Sequence, residues 1–220
     1  MTEKSEKELY EIFENFNKSE NNKLSNDDII HLVDNIKIVI AQNSFQNKVE
    51  EFMQTFNQEI NSNPILVADD LALLRLELLL EELYELAESC NKNVFSSFIV
   101  KLENVYKKAF NSFNKDREDN KIAKLDALID LQYVLSGAVS TFGFGNVIYE
   151  AFEEIHSSNM SKVCKSKEEA QLTKDKYEKE GIETYISEVE PYTYLIFRSS
   201  DNKVLKSINY KPAQLDKFIK

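Results

Sequence analysis

Four carboxylates on two leucine-rich segments carry the strongest chemical signal in this chain. Glu82 and Glu85 lie in LRLELLLEELYEL (74–86), and Asp126 and Asp130 lie in LDALIDLQYVLSGAV (125–139). Read as a helix at about 100° per residue, the first segment gathers Leu76, Leu79, Leu80, Leu83, Leu86 and Ala87 on one apolar arc. Glu82 and Glu85 stand at the edge of that arc, with Leu78 beside them, while Glu77, Glu81 and Glu88 fall nearer the opposite side as a solvated stripe. The second segment is apolar nearly all round, through Leu125, Leu128, Ile129, Leu131, Val134, Leu135 and Ala138, which predicts burial. Asp126 and Asp130 follow each other by one turn there, on a stripe continued by Tyr133 and Gly137. Asp is a poor interior helix former, so two on one line of a buried helix point to a role other than packing. Acids withdrawn from water need compensating positive charge, and a cluster of four suits a hard divalent cation. If the two helices pack together, they predict a Mg²⁺ site in an all-helical core. The competing reading leaves the acids in solvent or paired with Lys and Arg.

The elements that must position these residues follow from breaks in pattern. Residues 5–17 predict a short amphipathic helix with Leu9, Ile12, Phe13 and Phe16 on one side, and a polar stretch (17–28) leads into a second helix at about 27–42. Ser25 or Asn26 is its N-cap. A helix near 45–60 stops before Asn63-Pro64. Residues 91–110 repeat Phe95, Phe98, Ile99, Leu102, Val105, Tyr106 and Phe110 at helical spacing, as core or interface. NKDREDNK (114–121) reads as a solvated loop, and TFGFGN (141–146) breaks the helices. A charged helix over 167–181 ends at Gly181 as its cap. TYISEVE, YTYLIFR and the SSDNK turn before KVLKSINY then predict a small hairpin or three-stranded appendage.

Composition narrows the function classes. A chain of 220 residues suits one sizeable domain or a domain with an appendage. The net charge of −11 disfavours binding to a nucleic acid polymer, without forbidding one nucleotide held through a metal. Cys90 and Cys164 are too few for a disulfide framework and read as reduced thiols. The acidic start MTEKSEKELYEIFENF lacks the features of a signal or transit peptide, and no apolar run is long enough for a bilayer. These features point to a cytoplasmic protein with no membrane partner. With His31 and His156 as the two histidines, a histidine metal site or a Ser-His-Asp arrangement is disfavoured, and His156 reads as a packing or capping residue. No glycine-rich phosphate loop is present.

The blocks VEEFMQTF (49–56), LRLELLLEELYELAES (74–89), DALIDLQYVLSGAVSTFG (126–143), FEEIHSSNMSKV (152–163) and KVLKSINYKPAQL (203–215) carry a resemblance in their order and spacing. Over about residues 46–217 the chain resembles the all-α nucleoside triphosphate pyrophosphohydrolases, and among them the MazG-like proteins labelled phosphoribosyl-ATP pyrophosphohydrolase-like. The resemblance implies a helical, Mg²⁺-dependent homo-oligomer, a dimer or higher, that splits a nucleoside triphosphate into a monophosphate and pyrophosphate. Mn²⁺ is the substitute ion. The family's ExxE falls on Glu82 and Glu85, as metal ligands and as the catalytic pair. Its ExxD places Asp on Asp130 but Glu on Ala127, which cannot bind metal, so Asp126 stands in as ligand. The resemblance also implies that Asn159 and Lys162 meet the phosphates. Local sequence alone reads Lys162 as a cation favoured by a helix C-terminus. Lys203, Lys206 and Tyr210 fall on the family's KVLKxxxY and either close over the substrate or strap the fold. Tyr133 and Lys206 complete the expected substrate contacts.

The sequence therefore predicts an all-α, MazG-like helical bundle with a small C-terminal β hairpin. An N-terminal helical extension of unassigned role (1–44) precedes the pyrophosphohydrolase domain (45–220). The expected role is nucleotide-pool cleaning. The alternatives are a catalytically weakened nucleotide sensor or a helical assembly module on the same fold.

Overall fold

The structure, a computed structural model, describes residues 25, 27–33, 36, 45–112 and 118–219. The expected helix over 5–17 and the Asn26 cap lie outside these residues. Residues 27–33 are helical, in agreement with the second predicted helix. Ser25 caps them reciprocally: its Oγ accepts from the Asp28 N–H at 3.2 Å, and its own N–H donates to Asp28 Oδ2 at 2.9 Å.

Helix α1 (Phe45–Thr55) ends earlier than the expected limit near residue 60. The stop is local. Asn57 takes a left-handed φ of 51°, and the Gln58 N–H reaches back to Met53 O at 2.8 Å, while Phe56 turns into the core. Helix α2 (Asp69–Glu88) begins with two aspartates that suit its positive end. Helix α3 (Lys92–Asn111) is capped by Asn91, whose Oδ1 accepts from the N–H groups of Asn93 and Val94. Helix α4 (Lys121–Thr141) is capped in the same way by Asn120. It ends where Gly143 adopts φ 81° and the Phe144 N–H bonds Val139 O at 3.0 Å, before helix α5 (Ile148–Met160). Helix α6 (Lys167–Lys179) starts at Ser166, whose Oγ accepts from the Glu169 N–H, and closes as predicted at Gly181, φ 79°.

Strands β1 (Thr184–Glu190) and β2 (Thr193–Arg198) form an antiparallel hairpin, with Thr184 opposite Arg198 and an irregularity between Glu188 and Glu190. The expected small hairpin forms, and of the two arrangements the sequence allowed the three-stranded one does not. Val204 makes a single bridge to Phe197, and the chain then runs on irregularly to a short 3₁₀ turn at Asp216–Phe218.

Two compact units result. One gathers the described residues of Met1–Ile60 with Val139–Lys220, and the other is Asn61–Ala138. In the first, the pleat of β2 sends alternate side chains to opposite faces. Tyr194 and Ile196 pack with Cys164, Ala170 and Leu205, against Tyr177 of α6. Leu195 packs with Phe56 and Val163, against Phe52 and Met160. Strand β2 is thus buried on both faces at Tyr194, Leu195 and Ile196, and α1 lies along α5 through the stacked rings of Phe45 and Phe152, 4.3 Å apart.

The second unit is built differently. Helix α2 packs along α3, with Tyr84 and Phe95 edge to face at 5.9 Å, and Lys121 Nζ donates to Pro64 O at 3.3 Å. Yet Ala87 is the one buried residue among those described there. The burial expected for the second acidic helix is therefore not met within one chain. Leu125 is 60% exposed and Val134 69%, on a helix whose residues are apolar nearly all round.

Candidate functional site

Each acidic pair sits on one helix, as the spacing requires. Glu82 and Glu85 are at i and i+3 of α2, and Asp126 and Asp130 at i and i+4 of α4. All four side chains are exposed, as are Glu77, Glu81 and Glu88. Burial thus does not separate Glu82 and Glu85 from their neighbours; position around the helix does. Glu85 edges a groove of about 420 Å³ between α2 and α3, lined also by Tyr84, Glu88, Phe98 and Leu102. There the Tyr84 hydroxyl donates to Glu88 Oε1 at 3.1 Å, and that bond to a carboxylate pushes the Tyr84 pKa up.

The donor set fits a hard cation in kind: four carboxylates, acceptors only, with no Lys or Arg ion-paired to any of them among the described residues. The single chain does not draw them together, since no group of three or more His, Cys, Asp or Glu able to hold a metal forms among the described residues. Tyr133, expected to contact substrate, is exposed on the Asp126–Asp130 stripe.

The phosphate-side residues lie in the other unit. Lys162 follows α5 and is half-buried; its Nζ donates to Asn159 Oδ1 at 2.8 Å and stands 5.8 Å over the Phe52 ring. Desolvation lowers its pKa, the Tyr210 hydroxyl acts the other way, and Lys206 and Lys203 add to the lowering. Lys206 is exposed, with Nζ 4.5 Å over the Tyr210 ring. Ser158, buried on α5, donates its hydroxyl to the Tyr210 oxygen at 3.1 Å. Phe52 and Ser158 lie in the blocks VEEFMQTF and FEEIHSSNMSKV, but nothing in their residue types singled them out.

The His156 side chain is largely packed away from solvent, as a packing residue would be. Its Nε2 lies 3.2 Å from Glu51 Oε2, on the wall of a cleft of about 1010 Å³ shared with Lys48, Ser157, Lys165 and Lys211. The i, i+3, i+7 spacing of Lys48, Glu51 and Thr55 is the signal that would have placed them on one helical face.

An all-α chain bearing paired carboxylates on long helices, with a C-terminal hairpin, defines the class of protein. A model of the phosphoribosyl-ATP pyrophosphohydrolase family matches residues 49–159, half of the chain, and contains all four carboxylates. The chain belongs to that family. Among solved structures it is similar to a candidate NTP pyrophosphohydrolase from Exiguobacterium sp. 255-15, with a TM-score of 0.54 and 22% identity over 77% of this chain and 88% of that one. That likeness is one of fold. No curated protein matches the chain. The family match ends before Lys162, so the hairpin and the segment carrying Lys206 lie beyond it.

Proposed function

We propose that the protein is a Mg²⁺-dependent nucleoside triphosphate pyrophosphohydrolase that cleaves between the α and β phosphates and serves nucleotide-pool cleaning. One observation carries the reading: the family match spans both acidic pairs, Glu82 with Glu85 and Asp126 with Asp130. These four would hold Mg²⁺, or Mn²⁺ in its place. The bound ion supplies Lewis-acid stabilisation of charge on phosphate oxygens. A glutamate of the first pair orients the attacking water and takes its proton, as a general base within hydrogen-bond reach. Asn159 and Lys162 hold phosphate or sugar through a carboxamide and an ammonium, and Lys206 and Tyr133 make further substrate contacts.

The same reading makes the protein a homo-oligomer. Three helices of the Asn61–Ala138 unit leave their leucines bare, and an exposed apolar area of that extent marks an interface. A cover that folding itself demands must be present whenever the chain is made, and a second copy meets that condition unaided.

The test is pyrophosphate release from a panel of ribo- and deoxyribonucleoside triphosphates with Mg²⁺, comparing the natural chain with Glu82→Gln and Asp130→Asn. Release that both substitutions abolish supports the reading and begins to name the base. A second reading, a nucleotide sensor, is favoured by Ala127 at the expected glutamate position. It requires tight nucleotide binding with no pyrophosphate released.

A further inference from the structure

We propose that the cleft walled by α1, α5 and the hairpin turn is a second ligand site, built for the phosphomonoester of a sugar, with Lys165 and Lys211 on the phosphate and Glu190 on the hydroxyls. These three residues lie beyond the family-matched stretch.

The cleft stands apart from the residues expected to meet the triphosphate. Asn159, Lys162 and Lys206 are not on its walls. At about 100° per residue, Ser157 on the cleft lies about 160° around α5 from Asn159. The C-terminal segment divides in the same way. Tyr210 meets Ser158, while its neighbours Asn209 and Lys211 line the cleft.

Most charges on the walls are already committed within the chain. Lys48 Nζ pairs with Glu153 at 2.9 Å, and Glu51 meets His156 at 3.2 Å. Glu169 accepts from the Ser207 hydroxyl and the Lys165 N–H. The Lys165 ammonium acts on Glu169 through space without pairing with it. Two ammoniums, Lys165 and Lys211, and one carboxylate, Glu190, are left without an ion pair among the described residues. In a protein of net charge −11, a cleft with that positive excess is a place for an anion. A phosphomonoester is close to a dianion at neutral pH, which matches two ammoniums.

The other groups on the walls suit hydroxyls. His156 Nε2 faces a carboxylate, so the neutral ring carries its proton there and Nδ1 is an acceptor. Glu190 adds a carboxylate, and Ser157 and Thr193 add hydroxyls. No described aromatic side chain lines the cleft, although the chain has 14 Phe and 10 Tyr. A nucleobase would find nothing to stack on, which turns the choice from a nucleotide to a sugar phosphate. At about 1010 Å³ the cleft has room for one.

The backbone that carries the two lysines is fixed beforehand. The Lys165 N–H donates to Glu169 Oε2 at 2.9 Å, and the Lys211 N–H to Ser161 Oγ at 2.9 Å. Cys164, next to Lys165, exchanges two bonds of 2.9 Å with Tyr194. Binding then orders side chains alone, at little entropic cost.

The experiment is calorimetric titration of the full chain, in EDTA, with glucose 6-phosphate, glucose, inorganic phosphate and adenosine monophosphate. Glucose 6-phosphate should bind most tightly of the four. Lys165→Gln and Lys211→Gln should each weaken it about tenfold, and Glu190→Gln about threefold. All three side chains are exposed, so the fold should survive their replacement, and circular dichroism checks that it does. Lys206→Gln and Lys101→Gln, off the cleft, should change nothing. Absence of glucose 6-phosphate binding, or indifference to all three cleft variants, overturns the site. Equal affinity for inorganic phosphate, or tighter binding of adenosine monophosphate, overturns the sugar phosphate as its ligand. Loss of binding in Lys206→Gln would put the ligand on the expected substrate contacts and overturn the proposal too. No arm of the titration needs turnover, so the hydrolase reading stands or falls separately.

Discussion

Leu128→Ala should dissociate the protein while leaving its fold intact. Leu128 is 57% exposed, and at about 100° per residue it lies on the side of α4 away from Asp126 and Asp130, with Leu131 and Leu135. Full burial of a leucine side chain contributes about 1.5–3 kcal/mol, so covering the exposed part contributes about 1–2 kcal/mol per copy. In a two-fold interface the same residue is lost twice, for about 2–4 kcal/mol in all. Alanine keeps its Cβ, so the lower end applies, a dimer dissociation constant raised about thirtyfold. Since Leu128 contributes little inside one chain, its removal should act on association rather than on folding. Sedimentation equilibrium across a concentration series measures the constant, and circular dichroism checks that helicity is kept. A natural chain that stays monomeric at every concentration refutes the argument that a second copy covers these helices. A dimer that Leu128→Ala and Leu131→Ala leave unchanged shows that the cover lies on another face.

Mg²⁺ at a hundredfold its dissociation constant should stabilise the chain by about 2.7 kcal/mol, a melting rise of about 5–10 °C at this length. Glu82→Gln or Asp130→Asn should abolish that rise, and an unchanged melting temperature against an EDTA control counts against the metal site. Leu195→Ala, at a fully buried position against Phe56 and Val163, should cost about 2–5 kcal/mol in urea unfolding. A loss under about 1 kcal/mol would mean that the hairpin does not anchor its unit. Burial alone would raise the Glu169 pKa, but hydrogen bonds from Ser207, the Lys165 N–H and Asn209 outweigh it and hold the carboxyl below its ordinary value. Its folded form binds a proton less readily than the unfolded form, so the stability it contributes is present above about pH 4.3 and lost as pH falls through the folded-state value. Glu169→Gln should flatten acid unfolding in that window, and an identical acid limb in the variant would contradict the assignment.

Local chemistry was the legible part of this fold. Gly181 and the TFGFGN break ended helices where φ had to turn positive, and the hairpin followed from its alternating aromatic and β-branched residues. The end of α1 was not legible, because Phe56 leaves the helix for a core completed by Val163 and Leu195. Nor was the missing third strand. Val204 and Leu205 alternate between the two core clusters as a strand would, but the backbone that follows them bonds to side chains of α6 instead of to a strand. The acidic pairs were visible in spacing, while their exposure was not, since α4 is apolar on faces that one chain leaves uncovered. The setting of Lys162 needed the structure, because Phe52 and Tyr210 reach it from distant parts of the chain.

The Ala127 departure is weaker evidence against chemistry than it first looks. On the observed α4 helix a carboxylate at position 127 would lie about 60° around the axis from Asp130, whereas Asp126 lies about 40° from it. The natural pair is therefore better aligned in azimuth, although it is separated by about 6 Å of rise instead of about 4.5 Å. Both distances are within what two carboxylates on one helical face bridge through one ion. The shorter Asp side chain reaches less far from the axis. On this geometry Asp126 is placed to stand in for the expected glutamate, so Ala127 by itself does not favour the sensor over the hydrolase.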